Sequence, residues 1–394
     1  MTIGLFTDTY RPDINGVATA TEVLANVLAK QGNTVYVVTT NLPGHREIET
    51  EGNIIRIPGI VMKKVYFYRL AGIFSRKAYQ ILRQLPFDVV HVQSEAGIGY
   101  FGRIFARLME LPLVYTYHTL YADFTYMFAK NSRGLDATLK KIVSLYSHNW
   151  GEAPDEFITT SDKTRDALRR YGVKRYINVI PNGIDLTAIR PTAATDRAAD
   201  AERTRLGLDG KRILLIVGRI GKEKGMDYVV RCLRHYLDGG GDRNTRLVIV
   251  GDGPYRRELE KIIKNAGLEG DVVLVGKVPH EEVAKYYRMA DLLLSGSKSE
   301  TQGLTINEAM ACRCLVFVRH DYNFDSIITE GETGFFFRSQ DTFSAGLAKI
   351  KALSPAEREH IKDRAAARNE KLYSVEEYGK EIMDVYRRAQ RKCW

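Results

Sequence analysis

Two glutamates flank a short loop in the second half of the chain, and the residues around them are typical of an anion site. Glu300 lies in a run of small and polar residues after an apolar strand, and Glu308 lies about one turn inside a predicted helix that begins at Leu304. The first N–H groups of a helix have no internal acceptor, so Gly303, Leu304 and Thr305 are predicted to bind phosphate or sugar oxygens. A carboxylate repels phosphate but accepts hydrogen bonds from hydroxyls. The pattern therefore predicts a site for a nucleotide-sugar.

Two cations on a predicted loop in the same half of the chain suit a diphosphate. Arg219 and Lys224 follow the predicted strand Ile213 to Val217, and both can reach one phosphate group from a short loop. A departing diphosphate needs this neutralisation. The alternative is a surface ion pair with Glu223. The sequence has no D-x-D arrangement and no Walker A motif, so we expect neither a metal nor phosphoryl transfer.

Polar residues also follow two predicted strands in the first half of the chain. His118 comes after Leu113 to Thr116, at the end where parallel α/β sheets bind ligands. The alternative is a histidine that only satisfies a strand-end hydrogen bond. Asn15 and Gly16 occupy the turn after the first strand, where a tight turn with glycine at positive φ is the structural alternative. The turn lacks the G-x-G-x-x-G fingerprint of nicotinamide and flavin sites, so we expect no cofactor.

Strands and helices alternate along the whole chain. A strand, a helix and a β-branched strand come first, and a second alternating set begins at Ile213, a spacing typical of parallel sheets with crossover helices. The 394 residues suffice for two or three domains, and Pro191 to Arg203 is predicted to be a linker or surface excursion. Four cysteines favour a reducing cytoplasm over a disulfide framework. Because no apolar run reaches about eighteen residues, we expect no membrane-spanning segment.

Four motifs occur in order along the chain. They are Pro181-Asn182-Gly183-Ile184-Asp185, Gly218-Arg219-Ile220 with Glu223-Lys224-Gly225, Val250-Gly251-Asp252-Gly253-Pro254, and Glu300 with Gly303, Leu304 and Glu308. With these motifs the chain resembles the retaining glycosyltransferases of the E-x7-E type, which have the GT-B fold and belong to family 4. One departure is visible after Ala311, where the family's Gly-x-Pro turn reads Cys312-Arg313-Cys314. That position supports a turn rather than the chemistry.

The resemblance implies an α/β fold of two Rossmann-like domains that face each other across a cleft. It implies an acceptor- and membrane-binding domain at residues 1–186 and a nucleotide-sugar-binding domain at residues 187–372. A C-terminal helix within residues 373–394 would cross back onto the first domain. The implied reaction transfers a hexose from a nucleoside diphosphate with retained anomeric configuration, and the leaving phosphate itself takes the acceptor proton.

The resemblance also implies roles for individual residues. Glu308 would accept from the ribose hydroxyls and Glu300 from the sugar ring hydroxyls, although a covalent nucleophile is a competing role for Glu300. His118 would lie against the donor sugar, and with Arg219, Lys224 and Glu300 it forms the predicted catalytic set. The predicted donor-binding residues are Asn15, Gly16, Arg219, Lys224, Glu300, Gly303, Leu304, Thr305 and Glu308.

A long segment from Gly52 to Phe87 contains no acidic residue. Its Lys and Arg residues are interleaved with aromatic and apolar ones, which suits an anionic bilayer surface because charge attracts and shallow insertion buries apolar area. The predicted membrane-binding residues are Lys63, Lys64, Tyr66, Phe67, Arg69, Phe74, Arg76 and Lys77. The alternative is a strand and helix with a solvated basic face. Nucleic acid is disfavoured because no binding motif accompanies the charge.

A second, narrower resemblance lies in the run from Tyr115 to Tyr126. This run is similar to the membrane-associated subset of the family that glycosylates diacylglycerol. It implies transfer of glucose from UDP-glucose to the 3-hydroxyl of 1,2-diacylglycerol by a cytoplasmic enzyme peripheral to the inner face of the cell membrane. Phosphatidylinositol, a glycolipid or a soluble sugar are the alternative acceptors, and a sugar-nucleotide epimerase is the competing class.

Overall fold

Two compact units make up the chain. Unit 1 comprises Met1–Ile184 and Tyr373–Trp394, and unit 2 comprises Asp185–Leu372. The predicted limits, 1–186 and 187–372, lie close to these. The computed structural model describes residues 1–13, 15–42, 44–62, 68–121, 125, 133–185, 189–298 and 302–392.

Strands and helices alternate in unit 1, as the sequence predicts. The strands are β1 (Thr2–Phe6), β2 (Thr34–Thr40), β3 (Glu49–Glu51), β4 (Ile54–Ile57), β5 (Gly59–Met62), β6 (Tyr68–Ala71), β7 (Val89–Val92), β8 (Leu113–Tyr117), β9 (Glu156–Thr159) and β10 (Ile177–Val179). The helices described before residue 185 are α1 (Gly16–Lys30), α2 (Arg76–Leu82), α3 (Gly97–Leu108), α4 (Arg133–Glu152) and α5 (Asp162–Arg170).

Eight strands of unit 1 form one sheet, in the order β10-β9-β8-β7-β1-β2-β4-β3. Neighbours are parallel except β3, which pairs antiparallel with β4. The chain starts in the middle of the sheet, because β1 pairs with both β2 and β7. The loops after β1, β7 and β8 therefore leave the same edge of the sheet, where parallel α/β folds bind their ligands.

Strands β5 and β6 form a separate antiparallel hairpin. In its register Val61 pairs with Arg69, and Ile60 pairs with Leu70. Because side chains alternate along a strand, Arg69 and Leu70 face opposite sides of this hairpin.

Unit 2 contains a six-stranded parallel sheet in the order β13-β12-β11-β14-β15-β16. Its strands are β11 (Arg212–Val217), β12 (Thr245–Val250), β13 (Val272–Gly276), β14 (Leu292–Ser295), β15 (Leu315–Arg319) and β16 (Phe335–Phe337). Its helices are α6 (Ala193–Arg205), α7 (Met226–Asp238), α8 (Arg256–Asn265), α9 (Val283–Met289), α10 (Leu304–Ala311), α11 (Gln340–Ala352) and α12 (Pro355–Tyr373). Among the helices described in either unit, none is both long and apolar enough to cross a bilayer.

The last helix, α13 (Val375–Lys392), packs on unit 1, as the resemblance implies. Its buried face, which includes Ile382 and Tyr386, shares a core with Leu28 of α1 and Leu5 of β1. The opposite face of the sheet is covered by a second core that includes Phe105 of α3. The sheet of unit 1 is therefore buried on both faces, which is why its strands read as apolar runs.

The prediction of a linker from Pro191 to Arg203 is wrong, because α6 occupies most of that segment. Thr192 caps the helix by accepting a hydrogen bond from the N–H of Thr195. Glu202 is buried and accepts from the Tyr286 hydroxyl of α9 at 2.7 Å. The composition of α6 is polar, so the narrow stripe that it buries against α9 leaves little hydrophobic pattern in the sequence.

Candidate functional site

Three loops of unit 2 meet at the carboxyl edge of its sheet. They follow the adjacent strands β12, β11 and β14. A Cβ on Gly251 would stand 1.9 Å from the carbonyl oxygen of Gly218, and one on Gly225 would stand 2.3 Å from that of Gly296. Any side chain at these positions would push the loops apart. Glycine therefore allows backbones from separate strands to form one continuous surface.

Arg219 lies on the loop after β11, beside a buried carboxylate. Its Nη2 donates to Oε1 of Glu223 at 2.6 Å, and the Glu223 side chain is only 3% exposed. The ion pair with Glu223 expected as the alternative is observed, but its carboxylate is buried and orients the guanidinium, and the phosphate role of Arg219 stays a prediction. Lys224 is partly buried in the same 3₁₀ turn, Lys222–Lys224, which ends at Gly225 in the left-handed conformation. The two predicted phosphate ligands thus share one short loop, and the burial of Glu223 is the feature that the sequence did not show.

The helix α10 begins at the third loop. Gly303 precedes it with φ of 73°, and its carbonyl oxygen accepts from Ile306 at 2.9 Å and Asn307 at 3.2 Å. The N–H groups of Leu304 and Thr305 therefore have no acceptor within α10, and they stand at the positive end of the helix dipole. This geometry suits an anion. Glu300 lies outside the described residues, so both of its suggested roles stay predictions.

Glu308 is held at both carboxylate oxygens. Its Oε1 lies 3.0 Å from Nε2 of His280, and its Oε2 accepts from the Tyr287 hydroxyl at 2.7 Å. The hydrogen bond to Glu308 raises the pKa of His280 above its ordinary value, against an opposing effect of burial. Sequence reasoning found Glu308 but missed both partners, which come from the turn after β13 and from α9.

In unit 1, Asp8 ties β1 to the start of α3. Its carboxylate accepts from the Ser94 hydroxyl at 2.6 Å and from the N–H groups of Ala96 at 3.0 Å and Ile98 at 2.8 Å. Burial raises the pKa of Asp8, although these hydrogen bonds favour the ionised form. Asp8 therefore caps a helix from a distant strand, and the sequence contains no local signal for this contact.

His118 is buried at the end of β8, next to Gln93 at the end of β7. Its Nε2 lies 2.7 Å from Oε1 of Gln93. Burial lowers the pKa of His118 to about 4, so the imidazole is neutral at neutral pH. The observed contact is the strand-end hydrogen bond expected as the alternative, and the catalytic role stays a prediction. Gln93 is a partner that sequence reasoning missed.

A buried carboxyl group, Glu95, lies two residues beyond Gln93. Its two carboxylate oxygens accept from the hydroxyls of Tyr115 and Tyr121, and its carbonyl oxygen accepts from Tyr146 of α4. Burial raises the pKa of Glu95 to about 7. The loop from Gln93 to Ala96 is thus bonded to β8, to the segment after it and to α4. This cluster also escaped sequence reasoning, because its members are dispersed along the chain.

Asn15 serves as the cap of α1. Its Oδ1 accepts from the N–H groups of Val17 at 3.1 Å and Ala18 at 3.0 Å, and its Nδ2 donates to the Thr9 hydroxyl at 2.7 Å. Gly16 is the first residue of the helix. The Asn15 side chain is thus engaged within its own turn, and donor binding at Asn15 and Gly16 stays a prediction.

The prediction that Arg69 binds the membrane is wrong. Arg69 is 7% exposed, and its Nη2 donates to both carboxylate oxygens of Asp13, at 2.9 and 3.0 Å. Its neighbour Leu70 faces outward with Ile60 across the hairpin, and the two are 42% and 78% exposed. A linear count of basic residues could not show this, because the hairpin register decides which of two adjacent residues meets solvent.

The other predicted membrane residues divide into two groups. Lys63, Lys64, Tyr66 and Phe67 lie outside the described residues. Phe74, Arg76 and Lys77 are exposed at the start of α2, beside the exposed Ile73. The Phe74 ring also packs edge-on against Phe101, at 5.8 Å between centroids, so α3 supports its position.

These features define an α/β protein of two parallel-sheet units, one of which has an edge suited to anions. The family described as Glycosyltransferase Family 4 matches residues 14–188, and the family described as Glycosyl transferases group 1 matches residues 199–368. The chain is 32% identical over 389 residues to an alpha-monoglucosyldiacylglycerol synthase of Streptococcus pneumoniae, covering 98% of this chain and 85% of the relative. The chain therefore belongs to the family 4 type of glycosyltransferases, which confirms the predicted family and the predicted class of enzyme.

Two further comparisons agree with this assignment. An alpha-monoglucosyldiacylglycerol synthase of Acholeplasma laidlawii is 32% identical over 355 residues, covering 89% of this chain and 88% of the relative. The crystal structure of Anabaena Alr3699/HepE in complex with UDP and glucose aligns with a TM-score of 0.74, covering 98% of each chain at 16% identity. At that identity the structural likeness concerns the fold, and it confirms the predicted GT-B class.

Proposed function

We propose that this glycosyltransferase moves glucose from UDP-glucose to the 3-hydroxyl of 1,2-diacylglycerol at a membrane surface, with retained anomeric configuration. The observation that carries the proposal is the identity of 32% to alpha-monoglucosyldiacylglycerol synthases from two organisms, which in one case extends over 98% of this chain. An identity spread over both units favours a shared acceptor as well as a shared donor. Epimerisation is disfavoured by the same relatives.

The donor half of the proposal rests on the loops of unit 2. Arg219, Lys224 and the start of α10 offer positive charge and N–H donors to a diphosphate, and Glu308 offers acceptors to hydroxyls. Neutralising the departing diphosphate stabilises the charge that develops as the glycosidic bond breaks. The leaving phosphate then takes the acceptor proton, which removes the need for a separate protein base. UDP is supported as the carrier by the UDP-bound Anabaena structure of the same fold.

The acceptor half rests on the exposed apolar and basic residues of unit 1. Ile60 and Leu70 on the hairpin and Ile73 and Phe74 before α2 are exposed, and Arg76 and Lys77 follow them along the chain. Exposed aromatic and aliphatic side chains insert at headgroup depth, and each nearby Lys or Arg adds about 1 kcal/mol of attraction to an anionic surface. A diacylglycerol hydroxyl lies at the same depth. We therefore assign this surface to an anionic membrane on the cytoplasmic side.

The test is a transfer assay with defined donors and acceptors. The protein is incubated with vesicles of anionic lipid and diacylglycerol and with UDP-glucose, UDP-galactose or GDP-mannose in turn, and the product's anomeric configuration is read by NMR. We expect an α-glucosyl-diacylglycerol from UDP-glucose. Parallel reactions contain phosphatidylinositol, a glycolipid or a soluble sugar phosphate as acceptor. Transfer to one of these acceptors, with none to diacylglycerol, would overturn the acceptor assignment and leave the enzyme class intact.

A further inference from the structure

Glu308 is fixed by two donors that come from separate elements of unit 2. His280 lies in the 3₁₀ turn His280–Glu282 after β13, and its Nε2 is 3.0 Å from Oε1. Tyr287 lies in α9, and its hydroxyl is 2.7 Å from Oε2. One donor therefore serves each carboxylate oxygen. A glutamate side chain with only one oxygen held could still turn about its terminal bond, whereas this one is held in a single orientation.

The two donors differ in burial. Tyr287 is almost wholly buried, and burial raises the pKa of its phenol well above the ordinary value of 10, so the hydroxyl remains a donor throughout the working pH range. The His280 side chain is 53% exposed. The inner oxygen of Glu308 thus has a permanent partner, while the outer oxygen has a partner that can be replaced without opening the core.

A carboxylate oriented in this way has capacity left for a ligand. Each oxygen can accept about two hydrogen bonds, and His280 and Tyr287 use one each. The remaining acceptor positions on the two oxygens lie in the plane of one rigid group. A vicinal diol presents two O–H donors on adjacent carbons, so it can reach such a group with both hydroxyls at once. The 2′- and 3′-hydroxyls of a ribose form such a diol.

We propose that His280 and Tyr287 are positioning residues that orient Glu308 toward a ribose diol and thereby set a preference for ribonucleotides over 2′-deoxyribonucleotides. This inference rests on the proposed function, which places a nucleoside diphosphate in unit 2. It adds two residues and a specificity that the E-x7-E motif does not contain. Neither residue needs to touch the nucleotide, because each acts through Glu308.

A purely structural role for the two hydrogen bonds predicts something different. If they only stabilise unit 2, their loss lowers stability or weakens the binding of all nucleotides by the same factor. If they orient Glu308, their loss weakens the binding of the ribonucleotide much more than that of the 2′-deoxyribonucleotide, because the 2′-deoxyribonucleotide has no 2′-hydroxyl to donate to Glu308. The ratio of the two dissociation constants therefore separates the explanations, even where absolute affinity or Tm also changes.

The experiment measures Kd for UDP and for 2′-deoxy-UDP by titration calorimetry with the full-length protein. The variants are Tyr287→Phe, His280→Ala and His280→Gln, where the glutamine amide can replace the Nε2 donor. Tyr286→Phe is the matched control, since it removes a tyrosine–glutamate hydrogen bond of the same length, 2.7 Å, to Glu202 on another helix.

We expect the wild-type protein to favour UDP by roughly tenfold or more, which is typical of a hydrogen bond to a charged group. Tyr287→Phe and His280→Ala should reduce this ratio to about two- or threefold, whereas His280→Gln and Tyr286→Phe should keep it. A wild-type preference that persists in Tyr287→Phe and His280→Ala would overturn the inference and leave the donor site standing. Equal wild-type affinity for the two nucleotides would overturn the inference together with the ribose role of Glu308, whereas no measurable binding of UDP would overturn the donor site itself. If Tyr287→Phe does not fold, His280→Ala decides alone, because its side chain is half exposed.

Discussion

His118 and Gln93 lie at the ends of adjacent parallel strands, with Nε2 of the imidazole 2.7 Å from Oε1 of the amide. Since amide oxygens only accept, this bond assigns the proton of the neutral imidazole to Nε2 and leaves Nδ1 as the acceptor nitrogen. The ring therefore has a defined tautomer and orientation before any substrate binds. In the same loop, two residues after Gln93, the Glu95 carboxylate accepts hydrogen bonds from the hydroxyls of Tyr115 and Tyr121. The orientation of His118 thus depends on residues outside its own strand.

Replacing Gln93 tests whether this orientation matters for turnover. In Gln93→Leu the imidazole N–H has no acceptor on β7, so the ring is free to turn, and we expect kcat to fall roughly tenfold with little change in the Kd of UDP. The control is Ser147→Ala, which removes the 2.9 Å contact to the Tyr117 hydroxyl on the same strand as His118. Equal kcat values for the two variants would contradict a role for the Gln93 contact.

Arg219 is expected to act on the departing diphosphate. Arg219→Ala should lower kcat by roughly 10²–10³-fold, because a preorganised cation stabilises the transition state more than the bound substrate. Arg231→Ala is the control, since Arg231 forms a similar ion pair with Asp227, at 2.8 Å and also four residues away, on the exposed side of α7. Steady-state assays at saturating UDP-glucose provide the measurement. Full activity in Arg219→Ala would contradict the proposed role of Arg219 in stabilising the departing diphosphate.

Chelation tests the expected absence of a metal requirement. We expect activity to survive EDTA, because Arg219, Lys224 and the start of α10 can neutralise the diphosphate without a cation. The acceptor should be dissolved in detergent, since magnesium also alters lipid packing. Activity that EDTA abolishes and that Mn²⁺ or Mg²⁺ restores would count against the proposed phosphate site.

Charge reversal on the exposed face of unit 1 tests membrane attachment. Arg76→Glu with Lys77→Glu should weaken binding to anionic vesicles by about 30-fold or more, because each basic residue near the surface adds about 1 kcal/mol. Binding of the wild type should also decline as salt is added. Co-sedimentation with vesicles measures both effects, and UDP affinity should not change.

The control for this reversal carries the same change in charge on α13. Lys380→Glu with Arg387→Glu alters two exposed residues of unit 1 that lie far along the chain from the hairpin. If both double variants lose vesicle binding equally, total charge rather than this surface governs attachment. Arg69 is unsuitable for such a test, because its guanidinium is buried against Asp13.

The Glu95 carboxyl group predicts a pH dependence of stability. Its pKa is about 7 in the folded chain against an ordinary value of 4.5, so its contribution is fully present below about pH 4.5. As the pH rises toward 7, the unfolded chain releases its proton first, and up to about 3 kcal/mol of stability is lost. The Tm of the wild type minus that of Glu95→Gln should therefore be larger at about pH 5 than at about pH 8. A constant difference would contradict the assignment.

The class of fold and most of the predicted anion site can be inferred from the sequence without the structure. Alternating apolar strands and amphipathic helices predict parallel sheets, since the period of apolar residues is a local property. The residues Arg219, Lys224, Gly303 and Glu308 were also recognisable, because an anion site made from a loop and a helix start is contiguous in the chain. These features require only neighbours in sequence to be interpreted.

The partners that are distant in the chain, and the exposure of each charged side chain, follow only from the tertiary structure. Arg69 faces inward and Leu70 outward because of the hairpin register. The polar segment α6 is helical because α9 covers its narrow buried stripe. The carboxylates of Glu308 and Glu95 are held by donors 20 to 28 residues away in the chain. Composition and spacing do not identify such partners, because strand order and helix packing, rather than proximity in sequence, bring them together.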